Sequence, residues 1–168
     1  MSNIDEFRKM LVLLQRGTVE DWELASQIVD GFPFGSAQAV NRRWILHAID
    51  CGSIGSIRWM IEKGVDLQFT DGEGSTVIHF CIEGERPDRY DVLEMLIAAG
   101  ANVNAHGLND WTPLHLAAVL DDRRAMQMLL DAGADRTIRT RIDEYATPEE
   151  EARILGHFAS ADFIANYP

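Results

Sequence analysis

The sequence predicts an all-α fold, a solenoid in which short antiparallel helix pairs are stacked in a row. A unit of about 33 residues is clearest in the motif Trp111–Ala118 with its closing segment Leu129–Ala134, and weaker copies lie on both sides of it. Threonines that open the copies and glycines that close them repeat with one common period. The threonines are Thr76, Thr112 and Thr147, and the glycines are Gly64, Gly100 and Gly133. Chains of this kind bury their core between neighbouring units.

The residue types of the clearest unit follow from helix chemistry. Thr112 is suited to accept hydrogen bonds from the free N–H groups at a helix start, and Pro113 needs no N–H partner there. The apolar segment Leu114–Ala118 predicts a first helix, whose small alanines allow close approach of a neighbour. A second, antiparallel helix ends at Gly133, because glycine adopts the left-handed conformation common after a helix C-terminus.

The repeats differ in length at one place. Thr112 and Gly133 are 21 residues apart, whereas Thr76 and Gly100 are 24 residues apart. Three residues are therefore inserted, and we place them within Gly84–Arg89, in the loop between two helices. An insertion of this kind either carries binding specificity or is neutral.

Both ends of the chain differ from the central units, because a terminal unit of a solenoid has one face without a neighbour. An apolar stripe from Ile4 to Leu14 and a helix-start signature at Thr18–Asp21 predict a helical pair as the N-terminal cap. Near the other end, Glu149–Glu151 replace the Leu-His-Leu of the clearest unit and predict a polar C-terminal cap. We interpret these acidic residues, and Asp121–Asp122, as solvent-exposed.

The motif and its spacing resemble the ankyrin repeat. Residues 104–136 carry the motif, the alanine pair and the Gly-Ala closure in order. The resemblance implies a single ankyrin-repeat domain over residues 1–168. Its predicted segments are an N-terminal helical cap (1–36), a degenerate repeat (37–69), two repeats (70–103 and 104–136) and a C-terminal capping repeat (137–168). In the degenerate repeat Leu46 occupies the slot of the motif histidine, and His47 is one place off.

Two of the histidines, His79 and His115, occupy the same motif slot in successive repeats. In ankyrin repeats this histidine bonds to the motif threonine and to a neighbouring repeat, so the resemblance implies a structural role. A shared metal would need both nitrogens about 2.0–2.1 Å away, whereas packed helices lie about 8–10 Å apart. The sequence shows no nucleophile–base pattern, phosphate loop or paired-carboxylate motif, so we predict no catalytic residues, no cofactor and no metal.

Composition limits the classes of partner. The 168 residues include 27 acidic and 15 basic ones, which gives a net charge of −12. An acidic surface disfavours nucleic acids and anionic membranes, so neither is an expected partner. A basic protein is the charge-complementary partner, although solubility alone explains the charge equally well.

The sequence also predicts a cellular location. The N-terminus lacks the basic and apolar regions of a signal peptide, and the longest apolar run, Met10–Leu14, is far too short for a membrane span. Cys51 and Cys81 fall at different places in their repeats, so nothing in the pattern pairs them. Two unpaired thiols fit a reducing compartment. We expect a cytoplasmic protein that is monomeric on its own.

The predicted binding surface is the concave face, which ankyrin repeats build from projecting turns, or fingers, and from their first helices. Trp111 and Leu120 place apolar side chains there, and Trp is enriched among residues with large binding energies. Packing of Trp111 on the adjacent finger is an equally open interpretation. The third finger, Arg139–Tyr145, is two residues longer than the others and forms either a binding lip or a longer link to the cap. The candidate binding residues are Glu73, Ser75, Glu83, Leu108, Asn109, Trp111, Val119, Leu120, Arg141 and Tyr145.

The sequence therefore predicts a non-catalytic protein–protein interaction module. One narrower hypothesis is an immunity or inhibitor protein that neutralises a cognate basic toxin or enzyme. Another is a structural adaptor that bridges two proteins. Substitution of Trp111 and Leu120 separates them, because an inhibitor loses its single activity whereas a bridge keeps one of its two contacts.

Overall fold

A computed structural model describes residues 3–37, 40–72, 74–141 and 145–168, without the side chains of Asn3 and Leu108. This part of the chain contains ten α-helices: α1 (Asn3–Arg16), α2 (Val19–Ile28), α3 (Trp44–Cys51), α4 (Ile54–Glu62), α5 (Val77–Glu83), α6 (Arg89–Ala98), α7 (Pro113–Val119), α8 (Arg123–Asp131), α9 (Pro148–Ile154) and α10 (Phe158–Ala165). The all-α prediction is confirmed.

The remaining regular structure of the described residues is small. Strand β1 (Ser36–Ala37) pairs antiparallel with β2 (Arg42–Arg43), and Leu108–Asp110 form one 3₁₀ turn. The chain divides into two compact units. The first comprises the residues up to Asp66 with Gly84–Asp88, and the second comprises Leu67–Glu83 with Arg89–Pro168. The segment bounds expected for a single repeat domain stay a prediction.

The first unit is built around aromatic side chains. Helix α1 packs against α2 and α3, and both of these pack against α4. Phe32 stacks on Trp59 with ring centroids 5.6 Å apart and meets Trp44 edge-on at 5.6 Å. Trp22 lies 5.9 Å from Trp59. All three tryptophans are buried, so they serve helix packing, as their sequence positions indicate.

Helices α2 and α3 of this unit begin in different ways. The backbone N–H of Thr18 donates to Asp21 Oδ2 at 2.8 Å, and the N–H of Asp21 donates back to Thr18 Oγ1 at 3.4 Å. This reciprocal cap confirms the predicted helix start. Helix α3 has no side-chain cap, because Arg43 stands in the position of the motif threonine.

The insertion predicted between α5 and α6 belongs to the first unit and closes the C-terminal end of α3. The Arg86 guanidinium donates to the carbonyl oxygens of Ala48 (3.2 Å), Ile49 (2.6 Å) and Gly52 (3.1 Å). Its other edge is held by the Asp88 carboxylate at 2.9 Å. The last carbonyls of a helix have no partner within the helix, so the inserted arginine satisfies them.

The second unit consists of three helix pairs, α5–α6, α7–α8 and α9–α10, and α7 packs against both α5 and α9. The glycines that close the pairs behave as predicted. Gly100 follows α6 with φ 86°, and Gly133 follows α8 with φ 83°. A Cβ on either would meet no atom within 4 Å, so the left-handed backbone is what favours glycine.

Two acidic residues that the sequence places in solvent are buried, and this part of the prediction is wrong. Asp122 is 9% exposed because it caps α8, where its carboxylate accepts a backbone N–H at 3.0 Å and hydrogen bonds from Arg89 and Tyr90 at 2.9 Å each. Glu151 is 8% exposed because it occupies the helix position that Leu116 holds in the preceding repeat. Its position on a packed helix therefore buries Glu151, although its charge favours exposure to solvent.

Candidate functional site

Helix α5 begins with a hydrogen-bonded pair that also reaches the next repeat. The N–H of Thr76 donates to His79 Nδ1 at 3.3 Å, and the Thr76 hydroxyl lies 2.8 Å from the same nitrogen. The other ring nitrogen, Nε2, lies 3.0 Å from the carbonyl oxygen of Trp111. A carbonyl only accepts, so Nε2 carries the proton and Nδ1 accepts from the threonine.

The arrangement recurs in the next repeat and is modified in the last. The N–H of Thr112 donates to His115 Nδ1 at 3.2 Å, and His115 Nε2 donates to the carbonyl of Ala146 at 3.1 Å. In the last repeat Glu150 replaces the histidine and accepts the N–H of Thr147 at 2.9 Å. A carboxylate keeps the helix cap but has no N–H to offer a further repeat.

His79 and His115 form a ladder of hydrogen bonds from each repeat to the next, and burial keeps both of these ladder histidines neutral. His79 is 3% exposed and His115 is fully buried, and this burial lowers the pKa of each to about 4. At neutral pH each ring therefore has one donor and one acceptor nitrogen, as the ladder requires. These bonds give both residues a structural role. Over the described ranges, no group of three or more His, Cys, Asp or Glu side chains is placed to hold a metal ion.

The far ends of the first helices are joined as well. Asp121, just after α7, hydrogen-bonds Ser160 and lies 3.4 Å from His157 Nδ1, just after α9. Asp122 accepts a hydrogen bond from Tyr90 at the start of α6. The histidine bonds align the starts of α5, α7 and α9, which are each seven residues long, and the Asp121 contacts also tie the end of α7 to the last repeat. Residues at equal distances from their motif threonines therefore lie side by side.

Each first helix is preceded by a turn closed by one backbone hydrogen bond, and we call these turns fingers. The closing bonds run from Asp71 N–H to Ser75 O (3.0 Å), from Gly107 N–H to Trp111 O (2.7 Å) and from Thr140 N–H to Ala146 O (3.0 Å). The third finger encloses two residues more than the others, as predicted.

The second and third fingers are connected through a buried carboxylate. Asp110 is 6% exposed and accepts the backbone N–H of Arg141 at 2.6 Å and its Nη2 at 2.8 Å. The Arg141 guanidinium lowers the pKa of Asp110 to about 2, so the carboxylate is charged at neutral pH. His106 Nδ1 lies 3.0 Å from the same carboxylate. These contacts fix the two fingers relative to each other.

All the predicted binding residues belong to the second unit. Glu73 and the side chain of Leu108 lie outside the described residues. Ser75 is 6% exposed, because it lies inside the first finger and its N–H donates to Asp71 Oδ1 at 2.8 Å, so it offers little surface to a partner. The exposed residues are Glu83, Asn109, Leu120, Arg141 and Tyr145, and the partly exposed ones are Trp111 and Val119.

Exposed apolar side chains occupy aligned positions at the C-terminal ends of α7 and α9. Val119 and Ile154 lie seven residues after their motif threonines, and Leu120 and Leu155 lie eight residues after them. Ile154 is 59% exposed, Leu120 and Leu155 are each 49% exposed, and Val119 is partly exposed. We call these four residues the apolar strip. Exposed apolar patches bordered by polar residues are typical of interaction sites.

Half of this strip, namely Ile154 and Leu155, is not among the binding residues predicted from the sequence. The replacement Glu149–Glu151 marks the last repeat as a polar cap and hides the apolar residues that follow it. A signal was present, because both residues lie 35 positions after a predicted binding residue. The same distance separates the motif threonines of the two repeats.

The arrangement described so far is that of a known repeat class. The family model described as ankyrin repeats (3 copies) matches residues 44–140, which is more than half of the chain. The chain belongs to the ankyrin repeat family. Repeats of this family mediate protein–protein interactions and are typically non-catalytic.

Three relatives illustrate the match. The XBAT35 protein of Arabidopsis thaliana is 36% identical over 111 residues. The RelA-associated inhibitor of Mus musculus is 33% identical over 107 residues, and protein phosphatase 1 regulatory subunit 12A of Mus musculus is 29% identical over 116 residues. The matches cover 64%, 64% and 69% of this chain but only 23%, 12% and 10% of those proteins. The chain thus spans less than a quarter of the length of these curated relatives.

A helix that crosses a membrane needs about 20 predominantly apolar residues. In the part of the chain that the structure describes, no helix is both long and apolar enough to cross a bilayer.

Proposed function

We propose that this protein binds a partner protein, without catalysis, through one face of the second unit. This recognition face comprises the three fingers and the C-terminal ends of α5, α7 and α9. The observation that carries the proposal is the apolar strip, aligned across two repeats and held by hydrogen bonds at both ends of its helices. Preorganised side chains lose little entropy when a partner docks, so their burial contributes directly to affinity.

The size of the strip fits the centre of an interface. Burying a Leu or Ile side chain completely stabilises a complex by about 1.5–3 kcal/mol, and these side chains are roughly half exposed, which leaves about 1 kcal/mol for each. The same face carries exposed polar residues, namely Asn109 and Arg141 on the fingers and Glu83 at the end of α5. An apolar centre with a polar rim is the usual anatomy of a specific interface.

The proposed mode of action is occupation of a basic enzyme or toxin. The net charge of −12 is complementary to such a partner. Two of the relatives are named for inhibition and for regulation, which supports a protein that acts by binding.

An adaptor function is the second candidate, and one observation favours it. Leu24 and Ile28 lie one turn apart on α2 of the first unit and are 58% and 71% exposed. A second apolar surface of this kind would suit a second partner. An inhibitor needs only the recognition face, whereas an adaptor needs both surfaces.

Affinity purification from the native cell, followed by mass spectrometry and reconstitution of the purified pair, tests the proposal. We expect Leu120→Asp to lose the reconstituted partner while its thermal unfolding stays unchanged. Leu24→Asp is the matched control, because it places the same charge at a similarly exposed leucine, and it should retain this partner. A complex that survives Leu120→Asp, Leu155→Asp and Trp111→Ala alike would exclude the recognition face. Loss of a second, different partner by Leu24→Asp would favour the adaptor.

A further inference from the structure

We propose that the partner docks on the apolar strip with one amphipathic helix that has a basic residue at one end of its apolar stripe. This inference rests on the proposed function and specifies the chemistry of the partner at that site. It follows from the order of side chains across the three aligned first helices and from the charges around them.

Three positions define a row across the recognition face. Glu83, Val119 and Ile154 each lie seven residues after the threonine that opens their repeat, and the in-register helices bring them side by side. Glu83 is exposed at the end of α5, Val119 is partly exposed at the end of α7, and Ile154 is exposed at the end of α9. The row therefore passes from an acidic position to two apolar ones. A complementary segment needs a basic side chain followed by apolar ones.

Acidic side chains outnumber basic ones in the sequence next to the strip. Asp121 follows Leu120 directly, and its side chain is 54% exposed. Arg153 directly precedes Ile154 in the sequence. It is held by Glu149 at 2.8 Å and by Asp162 at 2.7 Å. Its positive charge is thus matched by two carboxylates, and the surroundings of the strip favour a basic partner.

The dimensions of the row fit a helix. Neighbouring packed helices lie about 8–10 Å apart, so the row is about 16–20 Å long. Residues i and i+7 of an α-helix lie about 10.5 Å apart on one side, so about 14 residues reach from Glu83 to Ile154. The strip is two residues wide, because Leu120 and Leu155 lie beside Val119 and Ile154. This width suits the stripe formed by positions i, i+3 and i+4 of an amphipathic helix.

Selection of 16-residue random peptides displayed on phage against the purified full chain tests this inference. We expect enriched peptides to carry apolar residues at helical spacing and Lys or Arg at one end of that stripe. Synthetic copies of them should become helical on binding. Leu155→Asp should lower their affinity at least about tenfold, since it places a charge in an apolar contact.

Charge reversal separates the basic residue from the general acidity of the protein. Glu83→Lys should weaken the selected peptides about fivefold at low salt, with a smaller effect at high salt. Glu94→Lys makes the same change at an exposed position of α6, away from the row, and should have a clearly smaller effect. A peptide with Glu in place of its Lys or Arg should recover affinity for the Glu83→Lys variant.

Four results would overturn the inference. Enriched peptides without a basic residue, or equal effects of Glu83→Lys and Glu94→Lys, would show that Glu83 selects nothing. Peptides that bind in an extended form would exclude the helix. Absence of any enriched peptide that depends on Leu155 would exclude a linear docking segment. In each case the proposed function is decided separately by the Leu120→Asp experiment on the native complex.

Discussion

The two units of this protein stack their helices by different chemistry. In the second unit a ring N–H of each motif histidine donates to a carbonyl of the following repeat, at 3.0 Å for His79 and 3.1 Å for His115. In the first unit His47 instead packs 5.0 Å from the ring of Phe7 and 5.9 Å from that of Trp44. Its Nε2 and the Trp44 Nε1 are buried and have no hydrogen-bond partner among the described residues.

The difference shows what makes a surface that spans several repeats. Hydrogen bonds are directional, so a ladder from histidine to carbonyl holds successive helices in register. In the first unit the motif slot offers no such bond, and the helices are joined by aromatic packing and by single side-chain bonds such as Trp59 Nε1 to Glu23 Oε1 at 3.0 Å. Leu46 occupies the motif slot in the first unit, and a leucine cannot donate to a carbonyl. The aligned apolar strip accordingly lies in the unit that has the ladder.

Removal of a ladder histidine should have the largest effect on the stability of the second unit. His115→Ala leaves a cavity and deprives the carbonyl of Ala146 and the N–H of Thr112 of buried partners. We expect the free energy of unfolding to fall by about 3–5 kcal/mol. Urea denaturation followed by circular dichroism measures it. A loss below about 1 kcal/mol would contradict the stabilising role of the ladder.

Mild acid should act on both units, and more strongly on the second. Burial lowers the pKa of His79, His115 and His47 to about 4, so the unfolded chain binds protons more readily than the folded one. Stability that is complete above pH 6.5 is then lost as the pH falls towards 4, by about 1.4 kcal/mol per pH unit for each histidine. At pH 5.5 the second unit should lose about 3 kcal/mol and the first about half as much.

Fluorine-labelled tryptophan makes this comparison measurable, because Trp111 reports on the second unit and the other three tryptophans on the first. Urea titrations at pH 7.5 and 5.5 followed by ¹⁹F NMR give a midpoint for each unit. Asp110 is a poor alternative explanation, since its pKa of about 2 places its titration below this window. Equal midpoint shifts in the two units would contradict the assignment to the histidines.

A methyl group on the second finger should disturb the ladder without removing the histidine. A Cβ at Gly107 would lie 2.6 Å from His79 Nε2, the atom that donates to Trp111. We expect Gly107→Ala to cost about 1–3 kcal/mol, because the buried ring has to move. Gly72→Ala is the matched control in the first finger, where a Cβ meets no atom within 4 Å. Similar thermal midpoints for both variants would refute the close contact.

The smallest effect is expected where the ladder is missing. His47→Leu removes a buried nitrogen without a hydrogen-bond partner and keeps an apolar side chain among the aromatic rings. We expect the free energy of unfolding at pH 7.5 to change by less than about 1 kcal/mol, and to rise rather than fall. The variant should also abolish the acid response of the first unit. A loss above 2 kcal/mol would point to an interaction of His47 that the aromatic contacts do not provide.

The repeat could be predicted from the sequence because each of its signals has a local cause. Thr112, Pro113 and Gly133 are selected by helix ends, and these chemical demands do not depend on distant residues. The ladder role of His115 came from the family resemblance, and the described bonds agree with it. The length of the third finger follows from counting the residues between the motif segments.

The remaining features depend on contacts that sequence spacing does not encode. Asp122 is buried because Tyr90 and Arg89, more than thirty residues away, supply its hydrogen bonds. Arg86 was visible only as part of an insertion, and its carbonyl partners on α3 follow from the fold. Ile154 was overlooked because an acidic run before it suggested a cap, whereas the alignment of the helices places it beside Val119.

The carbonyl oxygen of Trp111 couples the second finger to the preceding repeat. The carbonyl of Trp111 accepts both the Gly107 N–H that closes its own turn and the His79 N–H from the repeat before it. A partner that grips the indole and shifts this peptide group would strain both bonds at once. The displacement would then reach the start of α5. The rate of amide hydrogen exchange there would change, although the partner does not contact that segment.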